Sequence, residues 1–313
     1  LHSDTHSFPT RRSSDLYRKR QEGNYVGIGM EIEKSGNYVR VIATFPDTPA
    51  SRSSISARDL IIGVDGKSTK DMTFNEVYDA LSGEKGTNVT LTVRHPDGTE
   101  ESIDLVREKI TITPVELSLV EDQKIVLIDI NLFNLKTADE LKRKLGRSNL
   151  EGVNGYIVDL RDNPGGWLSS AINVASQFVD SGLITKTVGR DGERKFNSRG
   201  NSNPNLPLAV LVNDGTASAS EIVAGAIRDQ GMGIIVGRKS FGKGLVQTTH
   251  TIGRTFKVKL STAEYLTPAG NSLHGKGLAP DINSETRGED LEKAINWIED
   301  HQGRLMPLGK NKG

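Results

Sequence analysis

Two short segments in the second half of the chain carry the residues whose types and spacing could do chemistry. Thr216–Glu221 reads Thr-Ala-Ser-Ala-Ser-Glu and contains Ser218; Phe241–Gln247 reads Phe-Gly-Lys-Gly-Leu-Val-Gln and contains Lys243. A serine hydroxyl is a poor nucleophile until a base removes its proton. A desolvated lysine is one of the few side chains that can do so without a histidine. The two residues are therefore a candidate nucleophile and its general base.

Each of the two residues also has an ordinary structural explanation. Ser218 and Glu221 have the spacing of a capping box, which satisfies the first amides of a helix. Taken alone, that segment favours capping over catalysis. Most lysines in glycine-rich turns are surface charges. Against this, Gly242 and Gly244 remove side-chain cover and permit close backbone approach, and desolvation disfavours the ammonium form of a lysine.

The same region offers supporting groups. If the segment after Gly244 is extended, Gln247 faces the same side as Lys243 and could orient its amine; the alternative is an exposed polar strand residue. A glycine amide of the Pro164–Gly166 turn and the amide of Ala219 could stabilise an oxyanion. A Ser-His-Asp triad stays open, because triad partners meet only in space and His250 and His274 lie in this half.

The elements around these groups repeat a strand, a turn and a helix. Such alternation predicts a mostly parallel sheet with both faces covered, and catalytic groups in such folds gather at the carboxyl ends of strands. Ser218 and the Pro-Gly-Gly turn both fall at such ends. The predicted strands are 155–160, 208–212, 233–237 and 255–262, and the predicted helices are 167–179, 220–228 and 290–299.

The first part of the chain, 25–108, predicts short strands around one helix. Residues 38–43 and 89–94 alternate apolar and polar side chains, as half-buried strands do. Residues 73–82 carry an apolar helical face, with Thr73 as the N-cap and Gly83 as the stop.

This part resembles a PDZ domain. Residues Tyr25-Val26-Gly27-Ile28-Gly29 are similar to the loop whose amides hold a peptide's terminal carboxylate, and 59–66 match a later strand and turn. Glycines let the backbone aim amides at an anion, and the next strand can pair with an incoming peptide. The segment Pro49–Asp59 lacks two glycines that the family often has, so we expect this turn to be reshaped.

From Tyr25 to about Asp300 the chain resembles the C-terminal processing peptidases, the tail-specific serine proteases of bacterial envelopes and plastids. Besides the Tyr25–Gly29 loop, the motifs that carry the resemblance are 159–166, 216–222, 240–247, 266–270 and 277–281. The resemblance implies an α/β fold, with a ClpP/crotonase-like catalytic core and an N-terminal, mainly β PDZ domain. It implies Ser218 as nucleophile, Lys243 as general base and Gln247 as the residue that orients the lysine. It also implies the amides of Gly166 and Ala219 as the oxyanion hole, with Gly165 as the fallback.

The activity implied is that of a serine endopeptidase that recognises proteins through an apolar C-terminus and cuts upstream of it. The alternative is a non-catalytic PDZ adaptor or ligand-binding protein on the same fold. The resemblance implies protein or peptide substrates, no metal and no cofactor, and an extracytoplasmic location: cell envelope, periplasm or medium. It leaves a homo-oligomer and a membrane anchor open.

The amino-acid composition argues against several classes of function and of site. Lys plus Arg equals Asp plus Glu at 40 each, and a neutral chain argues against a nucleic-acid partner. The absence of cysteine excludes disulfides, thiolate metal sites and a cysteine nucleophile.

The two ends of the chain lie outside the predicted domains. Residues 1–16 resemble the translation of a sequencing adapter, the alternative being a disordered Ser/Arg-rich tail, and any signal segment or anchor would belong before the folded part. The domain boundaries expected are 25–108 for the PDZ domain, 109–303 for the protease core and 304–313 for a frayed tail.

Overall fold

A computed structural model describes residues 6–7, 24–120, 122–147, 152–200, 206–252 and 256–302; of 6–7, 247–252 and 256–259 it describes the main chain only. The expectations for residues 1–16 and 304–313 thus lie outside the described residues, except for strand β1 (His6–Ser7), which pairs with β18 (Phe256–Leu266). The chain divides into two compact units. One contains the residues up to Ile112 together with Gln247–Thr262, and the other contains Thr113–Val246 with the residues from Ala263 onward.

The first unit is built on an antiparallel sheet. The strands of this unit are β2 (Asn24–Gly27), β3 (Met30–Ser35), β4 (Tyr38–Thr44), β5 (Leu60–Val64), β6 (Lys67–Ser68), β7 (Asn88–Arg94), β8 (Glu100–Val106) and β9 (Glu108–Thr111). The sheet order is β3-β4-β5-β7-β8, with β6 paired to β5, while β2 and β9 form a separate pair. The predicted strands at 38–43 and 89–94 are confirmed by β4 and β7. Alternate residues are buried along β7, whereas in β4 the alternation ends at Val41, because Ile42 and Ala43 are both buried too.

The helix of this unit begins and ends where its sequence indicates. Helix α1 (Phe74–Leu81) follows Thr73, whose hydroxyl accepts the Glu76 amide at 3.3 Å, while the Glu76 carboxylate accepts the Thr73 amide at 2.7 Å. This reciprocal pair is a complete capping box. Val77 and Leu81 are buried, so the helix packs its apolar face on the sheet core.

The turn that lacks the two family glycines keeps a glycine-type backbone at one of them. Arg58 has φ +76°, a conformation that side chains with a Cβ rarely adopt. The next residue, Asp59, is buried, and its carboxylate accepts the Ser56 amide at 2.8 Å and contacts His95 Nδ1 at 3.0 Å. Hydrogen bonds accepted by a buried carboxylate therefore stabilise this turn, which has no glycine at either position.

The second unit has the parallel sheet that the sequence predicts. Its strands are β10 (Val115–Val120), β11 (Ile125–Ile130), β12 (Gly155–Asp159), β15 (Leu208–Val212), β16 (Ile234–Gly237) and β19 (Ile282–Asn283). The sheet order is β10-β11-β12-β15-β16-β19, parallel throughout except for the edge strand β10. The helices are α2 (Thr137–Arg147), α3 (Leu168–Ala175), α4 (Ala219–Asp229) and α5 (Arg287–Asp300).

Both faces of this sheet are covered, which explains its near-continuous apolar strands. In β15, Val210 packs with the α2, α3 and α4 side chains, whereas Leu211 packs with Ala294 and Ile298 of α5. Two further strands, β13 (Leu183–Gly189) and β14 (Gly192–Asn197), form a hairpin, and β13 also pairs with the end of β18.

Helix α3 is shorter than its apolar pattern predicts. The prediction extends it to Val179, but the helix ends at Ala175. Beyond this point the amides of Gln177 and Phe178 bond to carbonyls three residues back, which is a tightened turn rather than an α-helix. Phe178 and Val179 are still buried. The apolar spacing therefore indicates correctly which residues are buried, but it does not indicate where the helix ends. In the described part of the chain, no helix combines the length and apolarity that crossing a bilayer requires.

Candidate active site

Ser218 occupies a strained turn between β15 and α4. Its backbone has φ +56° and ψ −114°. An ordinary N-cap residue is extended, and a non-glycine residue held in this region costs about 1–3 kcal/mol. The helix cap that the segment suggests is therefore not in a normal cap conformation. Strain of this kind is retained where the surrounding structure fixes a residue for function.

Burial singles out the two residues that sequence reasoning chose. Within 216–220 every residue is buried except Ser218, and within 240–244 every residue is buried except Lys243. Each therefore offers its side chain from a segment that is otherwise closed to solvent.

Glu221 joins the two segments. Its Oε2 accepts the amides of Ser218 at 2.8 Å and Lys243 at 2.9 Å. Its Oε1 accepts the Ser240 hydroxyl at 2.5 Å and the Gly242 amide at 2.9 Å. Burial raises the pKa of the Glu221 carboxyl, and the hydrogen bonds from Ser240, Ser218, Lys243 and Gly242 oppose that shift. Sequence reasoning saw Glu221 only as half of a capping box and missed this role.

The glycines beside Lys243 allow a second loop to pack directly on its backbone. The Gly242 carbonyl accepts the Gly275 amide at 2.9 Å, and the Gly244 carbonyl accepts the Tyr265 amide at 2.7 Å. A Cβ on Gly244 would overlap the main chain of His274. These contacts explain why side chains are excluded on both sides of the lysine.

The two glycines that follow Pro164 differ in what their amides do. Gly165 is buried, and its amide donates to Asn163 Oδ1 at 2.9 Å. Gly166 is exposed, and its amide has no recorded acceptor among the described residues. A Cβ on Gly165 would lie 2.8 Å from the Ala219 nitrogen and 2.9 Å from Ser218 Cβ. The glycine turn therefore lies against the turn around Ser218, the candidate nucleophile turn.

Asn163, which sequence reasoning left without a role, fixes that arrangement. Besides accepting the Gly165 amide, its side chain donates to the Ile130 carbonyl at 2.5 Å. Its own carbonyl accepts the Ala217 amide at 3.0 Å and the Ser220 hydroxyl at 2.9 Å. One fully buried asparagine thus connects the end of β11, the glycine turn and the nucleophile turn. An asparagine directly before Pro-Gly-Gly is the sequence signal that could have drawn attention to it.

A second asparagine makes an equivalent connection after β15. Asn213 Oδ1 accepts the amides of Asp162 at 2.9 Å and Gly215 at 3.0 Å, and its Nδ2 donates to Asp162 Oδ1 at 2.8 Å. The two strand-end turns are therefore bonded to each other twice, through Asn163 and through Asn213.

Charged residues surround the base of these turns. Arg161 pairs with Asp159 and, at 3.1 Å, with Asp290 of α5. Burial alone would lower the pKa of Arg161, but its hydrogen bonds and the charges of Asp159 and Asp290 raise it. Burial and the negative charge of Asp159 together raise the pKa of the neighbouring Asp129 to about 6.

Three further candidates from the sequence are Gln247, His250 and His274. Gln247 lies in β17 (Leu245–Ile252), but its side chain and that of His250 lie outside the described residues. The strand begins at Leu245, so Lys243 precedes it rather than forming part of it. His274 is exposed, and no acidic partner of its side chain is recorded in the described part. There, too, no three His, Asp or Glu side chains are grouped to hold a metal.

In the first unit, the predicted carboxylate loop borders a small surface groove. The groove runs between edge strand β3 and helix α1. Gly29 has φ +83°, and a Cβ there would overlap the Thr48 side chain, so the loop requires glycine at this point. The lining is mostly apolar and consists of Tyr25, Gly27, Ile28, Gly29, Met30, Ile32, Tyr78, Leu81 and Ser82.

Comparison with known proteins gives consistent similarities. The profile of peptidase family S41 matches residues 124–284, and that of the PDZ domain matches residues 45–95. A carboxy-terminal-processing protease of Bartonella bacilliformis is 36% identical over 90% of this chain and 67% of its own length. A probable CtpA-like serine protease of Staphylococcus aureus (strain COL) is 35% identical over 88% of this chain; the chain spans only 56% of that relative.

A solved structure agrees with these sequence matches. The photosystem II D1 C-terminal processing protease superposes with a TM-score of 0.82 at 31% identity, covering 93% of this chain and 81% of the other. The chain belongs to peptidase family S41 and carries a PDZ domain in its N-terminal part.

Proposed function

We propose that the chain is a serine endopeptidase that recognises proteins through an apolar C-terminus and cuts upstream of it. The observation that carries the proposal is the partial exposure of Ser218 and Lys243 from two otherwise buried segments, which hydrogen bonds to Glu221 connect. The apolar groove beside the Tyr25–Gly29 loop supports recognition of an apolar tail, and the edge strand β3 allows its main chain to pair.

In the first half of the reaction, Ser218 Oγ attacks the scissile carbonyl carbon while Lys243 Nζ takes the hydroxyl proton. The carbonyl oxygen becomes an oxyanion, which the amides of Gly166 and Ala219 stabilise. Exposure of Gly166 and the engagement of the Gly165 amide by Asn163 favour Gly166 over its neighbour as donor. Lys243 then gives the proton to the leaving amine, the C–N bond breaks, and an ester to Ser218 remains.

In the second half, water attacks the ester carbonyl and gives a proton to Lys243. The bond to Ser218 Oγ breaks, the lysine returns the proton to that oxygen, and the new carboxyl terminus leaves. We assign Gln247 the task of orienting the lysine amine. This cycle uses no metal and no organic cofactor.

Peptides with a free apolar C-terminus, and the same peptides amidated, test the proposal. Wild type should cleave the free peptides and cleave the amidated ones more slowly, and Ser218→Ala and Lys243→Ala should abolish cleavage. Lys276→Ala, which removes an exposed lysine from the loop that packs on Lys243's neighbours, is the matched control. Retained activity in Lys243→Ala with loss in His250→Ala would establish a triad instead.

Labelling separates the enzyme from the non-catalytic alternative. A fluorophosphonate should modify Ser218 of wild type and not of Lys243→Ala. Tight binding of C-terminal peptides without any label at Ser218 would favour the adaptor.

We also infer an extracytoplasmic location, in the envelope, periplasm or medium of a bacterium, from the family resemblance. Fractionation of the native cells tests this, and recovery of the protein in the cytoplasmic fraction alone would contradict it.

A further inference from the structure

Two large apolar side chains are exposed beside the candidate oxyanion glycine. Leu135 is 71% exposed and Trp167 is 46% exposed. Trp167 directly follows Gly166, and Leu135 lies in the loop between β11 and α2. Single exposed apolar residues are common on protein surfaces. Two of them beside a candidate catalytic group indicate a surface that binds another molecule.

The main chain brings the two loops together at Gly166. The amide of Phe133 donates to the Gly165 carbonyl at 3.0 Å, and the amide of Trp167 donates to the Phe133 carbonyl at 2.7 Å. Phe133 thus bonds to the residues on both sides of Gly166. Leu135 is two residues further along, so both exposed side chains belong to the rim of the same backbone site.

The exposure of Leu135 is built into its turn. Thr137 Oγ1 accepts the Asn134 amide at 2.9 Å and donates to the Leu132 carbonyl at 2.7 Å. Asn134 Oδ1 accepts the Lys136 amide at 2.8 Å. Asn134 and Thr137 are buried, so a closed hydrogen-bonded turn holds Leu135 outward at its tip.

We propose that Leu135 and Trp167 form a subsite for an apolar substrate residue next to the scissile bond, an inference that rests on the proposed function. A polypeptide whose carbonyl reaches the Gly166 amide must pass over the side chains that flank this glycine. Removing exposed apolar surface from water favours binding, so an apolar residue is preferred there to a polar one. The subsite is separate from the groove that reads the C-terminus.

Fluorescence tests the contact without catalysis, because the chain has only two tryptophans, Trp167 and Trp297. Trp297 stacks on His301 in α5 and can be removed as Trp297→Phe. In a Ser218→Ala background, a peptide with Leu or Val on either side of the scissile bond should shift Trp167 emission to shorter wavelength. The same peptide with Asp at these positions should bind through its C-terminus without the shift.

Kinetics test the preference. Trp167→Ala and Leu135→Ser should each lower kcat/KM about tenfold for peptides apolar at the scissile bond, and leave the polar peptides nearly unchanged. Leu119→Ser and Val188→Ser are the controls, since these residues are comparably exposed elsewhere in the same unit.

An unchanged ratio between apolar and polar peptides in both variants, together with no emission shift, would overturn the subsite while leaving the proposed function intact. A change of oligomeric state in the two variants by sedimentation would overturn it in favour of a contact between copies. If wild type cleaves no peptide, the proposed function fails, and the emission shift alone then decides whether this patch binds apolar peptide.

Discussion

The main-chain amides of Ser218 and Lys243 donate to one and the same atom, Oε2 of Glu221, at 2.8 and 2.9 Å. The segments that carry the candidate nucleophile and base are therefore registered by a single buried carboxylate. The second oxygen of that carboxylate takes two more donors from the lysine loop, Ser240 Oγ and the Gly242 amide. A network in which every donor is satisfied is rigid, and leaving part of it unsatisfied is costly.

Glu221→Gln should lower both activity and stability. An amide presents N–H groups to two of the four donors, and each buried group left unsatisfied costs about 1–3 kcal/mol. We expect a loss of about 2–5 kcal/mol in the free energy of unfolding, measured with urea, and at least a tenfold fall in kcat/KM, with labelling at Ser218 slowed.

Glu76→Gln is the matched control, because Glu76 fills the same capping-box position in α1 without any catalytic neighbour. It should cost less than about 1 kcal/mol and leave kcat/KM unchanged. Equal effects of the two substitutions would mean that Glu221 acts only as part of a helix cap.

Ser218→Gly should give a more stable protein than Ser218→Ala, although we expect both variants to be inactive. The φ of +56° strains any residue with a Cβ, and only glycine relieves it. After the larger chain entropy of unfolded glycine is subtracted, we expect a difference of about 1 kcal/mol in urea unfolding. If the alanine variant is equally stable, the turn carries no strain.

The sequence predicts the parallel sheet well, and it predicts the hydrogen bonds that connect the candidate residues poorly. Apolar strands and helical periodicity are local signals, so 155–160 and 208–212 are recovered as β12 and β15 almost to the residue. Glu221 shows the limit: the spacing Ser-x-x-Glu correctly indicates its bond to Ser218, but nothing local indicates Ser240, Gly242 and Lys243 as further donors. Those bonds depend on which loops the sheet order places together.

Local sequence also does not indicate the backbone conformation or the exposure of an individual glycine. The Pro-Gly-Gly turn indicates an oxyanion donor without distinguishing its two glycines. The distinction comes from Asn163, whose side-chain oxygen accepts the Gly165 amide and whose side-chain nitrogen donates to the Ile130 carbonyl, 33 positions away.

Gly165→Ala should abolish cleavage while peptide binding to the first unit persists. The added Cβ would lie 2.7 Å from the Ala217 carbonyl oxygen and 2.8 Å from the Ala219 nitrogen, which pushes the nucleophile turn away. Gly270→Ala is the control for backbone strain alone, since Gly270 has φ +86° and open space around it. We expect kcat/KM to fall at least a hundredfold in the first variant, as when an oxyanion donor is lost, and to stay within twofold in the second. Similar losses in both would mean that strain, not the site, is responsible.

Gly29→Ala should weaken binding of C-terminal peptides. The added Cβ would overlap the Thr48 side chain and displace the Tyr25–Gly29 loop from the groove. Gly36→Ala, at a positive φ of +59° with no atom nearby, is the control. Fluorescence anisotropy of a labelled peptide with a free apolar C-terminus should show at least a tenfold rise in Kd for Gly29→Ala only. Equal Kd values in the two variants would place the carboxylate elsewhere.

Asp129 should make the stability of the protein fall as the pH rises from 4 to 6. Its folded-state pKa of about 6 exceeds the ordinary value of 3.8, because burial and the charge of Asp159 outweigh Arg161, with Glu116 and Arg287 as the weaker neighbours. Between these two values the folded state binds more protons than the unfolded state, so raising the pH favours unfolding. Urea unfolding of wild type and Asp129→Asn across this range measures the effect. Because all other groups are shared, the difference in free energy between the two should change between pH 4 and 6 and level off above 6, with the variant gaining relative to wild type. A difference that stays constant across the range would mean that Asp129 titrates at its ordinary pKa.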